Sequence, residues 1–203
     1  MHEFIQIGRS LALGLIVAAV GGGRADGSFH LMQIEQIIGG VNGDLTAQAI
    51  QLRMRSSGQN ILSAASLRAS DAAGGNEVLL DNMSTNVASG AAGSRVLITT
   101  PNFANYVDLP LVSDFTMDPI PVSYLPAGQV AFSNSSGSTD YWVLSWGGSG
   151  FTGSTTGVAT NDADGQFGPP FPGPLPSTSL QALRFLGAAS DRSTTNANDY
   201  ALT

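Results

Sequence analysis

The chain has 203 residues and a formal net charge of −7, with 42% hydrophobic and 11% charged residues. Its length suits one domain, or one domain with an arm, and its hydrophobic content argues against disorder throughout. Lysine and cysteine are both absent from the sequence. The acidic balance argues against nucleic acid as a partner, and the lack of cysteine excludes disulfides, thiolate metal sites and a cysteine nucleophile.

The N-terminal residues 1–25 resemble a secretory signal peptide. An uncharged, mostly apolar run at 11–20 follows Arg9. The small residues Gly23 and Ala25 occupy the −3 and −1 positions of a signal-peptidase cleavage site. The run is shorter than the roughly 20 residues of a membrane-spanning helix. We therefore expect an exported protein, extracellular or at the cell surface, with no stable membrane span. If the segment is retained, it is expected to act as an assembly arm that buries its apolar side chains in a neighbouring subunit, and these are Leu11, Leu13, Leu15, Ile16, Val17 and Val20.

Seven short segments of the remaining chain carry the pattern of β-strands, separated by residues that favour turns. In the second of them, Ile50, Leu52 and Met54 alternate with polar residues, as in a half-buried antiparallel strand. Short strands spaced in this way favour a sandwich of antiparallel sheets over alternating strands and helices. The predicted strands cover residues 30–38, 49–55, 61–69, 78–80, 95–100, 129–132 and 141–146.

We therefore expect residues 26–203 to form a single all-β domain, an antiparallel immunoglobulin-like β-sandwich with the apolar arm outside it and long Gly/Pro-rich loops. A Gly/Ser/Pro-rich excursion at 147–178 interrupts the strand pattern. Within it, residues 168–176 include five prolines. Because proline donates no backbone hydrogen bond, this run is predicted to be polyproline-like and to lie on the surface, outside any ladder.

Several segments resemble the lamin-tail domain family, as it occurs in secreted bacterial proteins. The segments are 32–37, 49–52 and 62–67, which resemble the first three strands of that family, and 179–181 with 198–200, which resemble its closing region. The sequence departs from the family pattern at Gln51, where glutamate is usual, and in the third strand, which lacks a tryptophan. The resemblance implies an immunoglobulin-like scaffold or interaction module on exported proteins, without catalytic residues.

The residues needed for common hydrolytic mechanisms are sparse. His2 and His30 are the two histidines of the sequence, and no serine lies in a G-x-S-x-G motif. We assign His30 a structural role and predict no catalytic residue. A hydrolase with two catalytic carboxylates is an alternative, because such a site needs only two of the 15 acidic residues.

Asp162 and Asp164 are weak candidates for calcium ligands. They alternate with other residues ahead of Gly165, as oxygen ligands do in a calcium loop. Aligned on that glycine, Thr160 takes the first ligand position and Phe171 takes the place of the bidentate glutamate. Both are unsuitable, so a plain turn rich in Asp and Asn is the alternative, and no other cofactor is expected.

Tyr141, Trp142 and Trp146 make 141–146 the most aromatic predicted strand. Alternation places Trp142 and Trp146 on the same face as Leu144, which favours a role in the core. The alternative is an exposed aromatic contact surface that binds a glycan or another subunit.

Taken together, the residues favour a non-enzymatic extracellular structural protein that assembles with itself into a filament, tube or surface layer. Low charge, a strand-rich body and an apolar arm suit an assembly in which a strand of one copy joins the sheet edge of another. One alternative is a monomeric secreted module that binds a glycan or a cell-surface protein. A second alternative is the secreted hydrolase with a carboxylate site.

Overall fold

The computed structural model describes residues 28–107, 110–157, 165–191 and 195–203. Ten strands form in these residues, with three 3₁₀ helices and one α-helical turn. The strands are β1 (Met32–Ile38), β2 (Ala49–Met54), β3 (Ala65–Ser70), β4 (Val78–Asn82), β5 (Arg95–Thr99), β6 (Phe115–Thr116), β7 (Gly128–Asn134), β8 (Asp140–Trp146), β9 (Leu183–Phe185) and β10 (Tyr200–Leu202). The 3₁₀ helices are Pro101–Tyr106, Val122–Tyr124 and Gly148–Gly150, and the α-helical turn, α1, is Asn196–Asp199.

The strands belong to two sheets. One sheet has the order β10-β9-β1-β2-β5-β6, and the other has the order β4-β3-β7-β8. Neighbouring strands are antiparallel except for β5 and β6, which run parallel. Side chains from both sheets meet in one main apolar core. The prediction of an all-β sandwich is therefore confirmed, whereas the immunoglobulin-like topology and the lamin-tail resemblance stay predictions.

The alternation in β2 shows how the sequence builds this core. Ile50, Leu52 and Met54 are fully buried, and the polar residues between them are partly exposed. The opposite sheet contributes Phe132 and Leu144, which are also fully buried. Burying such side chains stabilises the fold by about 1.5–3 kcal/mol each, so the two-residue periodicity fixes which face of each strand turns inward.

A bulge in β1 decides which of its side chains reach the outside. The register with β2 shifts between Ile34 and Gln36, so Glu35 has no partner across the ladder. In a regular strand, residues three positions apart face opposite sides; the extra residue lets Ile34 and Ile37 both enter the core. Glu35 and Gln36 consequently both lie on the outer face of the six-stranded sheet.

Three strands are absent from the sequence prediction, namely β6, β9 and β10. They are two or three residues long, which is too short for a periodic pattern to appear. The third predicted strand, 61–69, begins at Ala65 in the structure. Leu62 is fully buried, but it belongs to the turn before the strand, where its carbonyl accepts a hydrogen bond from the N–H of Ala65 at 2.8 Å.

The proline-rich run does not lie free on the surface, which corrects the prediction for 168–176. The N–H of Phe171 donates to the carbonyl of Ser145 at 2.9 Å, and Phe171 forms a parallel bridge with Trp146 at the end of β8. The N–H of Leu175 donates to the carbonyl of Leu125 at 2.9 Å, and the Leu175 side chain is 1% exposed. The non-proline residues of the run keep their N–H groups, and through them the run packs against the sandwich.

Candidate assembly surfaces

Two of the predicted sites fall outside the described residues. The arm residues Leu11, Leu13, Leu15, Ile16, Val17 and Val20 belong to 1–27, and the calcium candidates Asp162 and Asp164 belong to 158–164. Both sites stay predictions. Among the described residues, no helix has the length and apolar character needed to cross a membrane.

The aromatic residues of β8 lie inside the sandwich. Tyr141, Trp142 and Trp146 are 7%, 1% and 0% exposed, respectively. Tyr141 joins the two tryptophans in the core because the ladder with β7 shifts register next to it. This burial agrees with the core interpretation and leaves no exposed aromatic platform on the strand. His30 stacks on Tyr141 with the ring centroids 4.8 Å apart, a structural contact.

A buried hydrogen-bond chain joins the two sheets through these aromatics. Nε1–H of Trp142 donates to the hydroxyl of Tyr200 at 2.8 Å, and that hydroxyl donates to the carbonyl of Ile34 at 2.7 Å. Burial raises the pKa of the Tyr200 hydroxyl far above its usual range, so the hydroxyl stays protonated and keeps donating. Because these hydrogen bonds link β8 to β10 and β10 to β1, they hold β10 in place at the edge of its sheet.

The edge strands of the two sheets differ in whether other segments of the backbone contact them. Phe171 pairs alongside the end of β8, as described above. At the β4 edge, the carbonyl of Leu80 accepts a hydrogen bond from the N–H of Asp118 at 2.8 Å. On the outer side of β10, the N–H of Tyr200 donates to the carbonyl of Asn196 in α1, and no described residue makes such a backbone contact with Leu202. Exposed strand edges attract further strands, so the β10 edge is the candidate for pairing with another chain.

The backbone of β10 points outward at Tyr200 and Leu202, and the N–H of Tyr200 is already bonded to α1. Thr203 and Ala182 exchange two hydrogen bonds, with N···O distances of 3.0 and 3.2 Å, and extend the ladder beyond β10. Antiparallel pairs alternate between bonded and non-bonded residues. The Leu202–Leu183 pair is next to this bonded pair, so the N–H and the carbonyl of Leu202 point away from β9 and towards solvent.

Exposed leucines surround this edge. Leu180, Leu186 and Leu202 are 69%, 60% and 46% exposed, respectively. Leu202 also lines a groove of about 240 Å³ whose opposite wall is the proline-rich run, including Phe171 and Leu175. Exposed leucines are common singly, but Leu202 beside the groove, with Leu180 and Leu186 beyond the two ends of β9, gives this edge apolar side chains suited to contact with an apolar segment. We call β10, these leucines and the groove the β10 edge surface.

A second surface lies on the outer face of the six-stranded sheet. Arg184 is exposed and faces Gln36 across the ladder, and Gln36 faces Gln51. Beside this row, Arg53 and Arg95 face each other across β2 and β5. We call Arg53, Arg95 and Arg184 the arginine face. This face was not predicted from the sequence, although the three-residue spacing of Ile34 and Ile37 is a signal of the bulge that orders it.

Glu35 holds two of these arginines together. Arg53 and Arg95 would repel each other as directly opposed cations. The Glu35 carboxylate, 1% exposed, accepts two hydrogen bonds from Arg95, at 2.6 Å from Nε and 2.9 Å from Nη2. It also lies 3.4 Å from Nη1 of Arg53. The bidentate pair is the stronger of the two contacts, and one carboxylate against two guanidinium groups leaves the cluster with a positive charge.

A third surface is an acidic cleft between the edges of the two sheets, where β4 approaches β6. The cleft has a volume of about 470 Å³, and its lining includes Asp81 and Asp118 and no cationic side chain. Burial, and to a smaller extent the charge of Asp118, raises the pKa of Asp81, against the lowering effect of the Asn82 backbone N–H. Oδ2 of Asp81 has no hydrogen-bond partner. Nowhere in the described part of the chain do three His, Asp or Glu side chains gather as metal ligands.

Comparisons with known proteins do not assign the chain to a family. No family model matches the sequence, and no curated protein is significantly similar to it.

Proposed function

We propose that this chain is an exported, non-enzymatic structural protein whose copies assemble into a filament, tube or surface layer. The observation that supports the proposal is the β10 edge surface. Leu202, whose backbone is unpaired on its outer side, adjoins the groove, and Leu180 and Leu186 are exposed beyond the two ends of the neighbouring strand β9. Soluble proteins usually protect such edges with charges, bulges or covering loops, and this edge has an arginine only on the neighbouring strand β9.

The occupant of this edge is the apolar run 11–20 of a second copy. The run is ten residues long and carries no charge, so it can lie against exposed leucines without burying an ionised group. Extended, it spans about 33 Å at roughly 3.3 Å per residue. The run can exchange a pair of backbone hydrogen bonds with Leu202, and the remainder is long enough to reach the other leucines and the groove.

Such a contact propagates. The arm and the β10 edge surface are different parts of the chain, so the contact between two copies is heterologous and leaves one free arm and one free edge. Each added copy offers the same two elements to the next. A polymer follows if the rotation between copies does not close a ring.

The test compares the full chain with a variant that lacks residues 1–25. N-terminal sequencing of the exported protein first establishes whether the chain begins before or after Ala25. Sedimentation velocity should then show concentration-dependent polymers for the full chain and monomers for the shortened variant, while circular dichroism shows the same β-sheet content for both. Export with cleavage after Ala25, or polymers formed equally well without residues 1–25, would refute the role of the arm.

A further inference from the structure

The arginine face contains a cation that nothing in the described part of the chain neutralises. Arg184 is exposed and forms no ion pair with any described carboxylate. The neighbouring charges on the face are those of Arg53 and Arg95 with their shared partner Glu35. These groups add up to a net positive charge on a protein whose formal net charge is −7.

The acidic cleft, in contrast, has carboxylates without a neighbouring cation. Asp118 is exposed at its mouth, Asp81 lies half-buried beside it, and the lining has no cation to balance them. Oδ2 of Asp81 is buried without a hydrogen-bond partner, so an approaching cation meets the exposed carboxylate of Asp118 first. A guanidinium group supplies several donors in a planar fork and pairs well with carboxylates. The cleft thus fits the chemistry of an arginine side chain.

The two surfaces cannot meet within one copy. Arg184 belongs to β9 and the cleft lies beside β6, and the sheet order β10-β9-β1-β2-β5-β6 puts four strand steps between them. At about 4.8 Å per step, the separation is about 19 Å. The surfaces can therefore pair only between copies, and the contact repeats in one direction along the sheet.

We propose that the arginine face of one copy docks against the acidic cleft of the next, with the guanidinium group of Arg184 against the exposed carboxylate of Asp118 and near that of Asp81. This inference rests on the proposed self-assembly and names the electrostatic contact that accompanies the arm. Two copies of a chain with a net charge of −7 repel each other. Docking of the arginine face against the cleft brings the opposite charges of the two copies together, and it sets the direction in which copies stack.

Charge exchange between full-length chains tests this contact. Arg184→Glu replaces the unpaired cation of the arginine face with a carboxylate that would meet the carboxylates of the next copy's cleft, and Asp118→Arg gives a copy that carries an arginine on both surfaces. In sedimentation velocity at low salt, each variant alone should need at least tenfold more protein than the wild type to associate. An equimolar mixture of the two should associate within about twofold of the wild type, because every contact again joins an arginine to a carboxylate.

The double variant Arg184→Glu with Asp118→Arg is the matched control. It keeps the net charge of the wild type and should associate like the wild type, with the same weakening as salt rises. Single variants that polymerise normally would overturn this contact and leave the arm-mediated assembly standing. A mixture that associates no better than its components would also overturn it. In that case Arg184 would serve to bind an acidic partner other than a second copy, which binding of polyglutamate to the wild type, and not to Arg184→Glu, would reveal. A wild type that stays monomeric would overturn both proposals.

Discussion

Removal of one hydroxyl group at Tyr200 should weaken the sandwich more than an ordinary Tyr→Phe exchange. In Tyr200→Phe, Nε1–H of Trp142 loses its acceptor and the carbonyl of Ile34 loses its donor. Both groups are buried, since Ile34 and Trp142 are 0% and 1% exposed. A buried polar group left unpaired costs about 1–3 kcal/mol. Some of this cost is recovered because the Tyr200 hydroxyl no longer has to be desolvated, so we expect a loss of about 2–3 kcal/mol.

Urea denaturation followed by tryptophan fluorescence measures this loss. The midpoint should fall while the dependence on urea concentration stays unchanged, which indicates a change in stability alone. Tyr141→Phe is the matched control, because Tyr141 is 7% exposed and its hydroxyl makes no hydrogen bond to the described part of the chain. The control should change stability by less than about 0.5 kcal/mol. Equal losses in the two variants would refute the idea that the Trp142–Tyr200–Ile34 chain ties the sheets together.

Three further substitutions, one of them with a control variant, test other parts of the fold. Asp81→Asn should raise the melting temperature at pH 7, because the raised pKa of Asp81 means that folding disfavours its ionised carboxylate. The gain should vanish well below pH 3.8, where the wild-type carboxyl group is protonated in both the folded and the unfolded state. Glu35→Gln should lower stability by about 2 kcal/mol, because it leaves Arg53 and Arg95 without a buried anionic partner. The control Glu77→Gln, at the exposed ion pair with Arg68, should change stability by less than about 1 kcal/mol. Thermal unfolding of both variants measures the difference. Gly147→Ala should cost about 3 kcal/mol in chemical denaturation, because φ is +103° and the added methyl group would collide with Ala127.

The fold class could be predicted because the longer strands carry their own pattern. In β2, polar and apolar residues alternate cleanly, and in β8 the two tryptophans share a face with Leu144, so burial of that face follows from the sequence alone. The edge strands could not be predicted in this way. β9 and β10 have three residues each, and contacts made elsewhere in the fold, such as the hydroxyl of Tyr200 on the carbonyl of Ile34, hold them in place.

The candidate surfaces were harder to predict than the fold, since they depend on irregularities. The bulge at Glu35 places two consecutive side chains on one face, which a regular alternation does not allow. The proline-rich run was expected to stay outside any ladder, but Phe171 still has its N–H and uses it against β8. The arm can be recognised in the sequence as an uncharged apolar run, and it stays a prediction because it lies outside the described residues.

Negative-stain electron microscopy of the full-length protein at high concentration tests the central claim, assembly through the β10 edge surface. Wild-type protein should form uniform polymers. Leu202→Lys places a charge where about half a leucine side chain, worth about 1 kcal/mol, is to be buried, so it should form polymers only at concentrations at least about fivefold higher. Val112→Lys makes the same exchange at an 86% exposed position ahead of β6 and should assemble like the wild type. Dispersed single particles in the wild type, or equal assembly in the two lysine variants, would contradict the account.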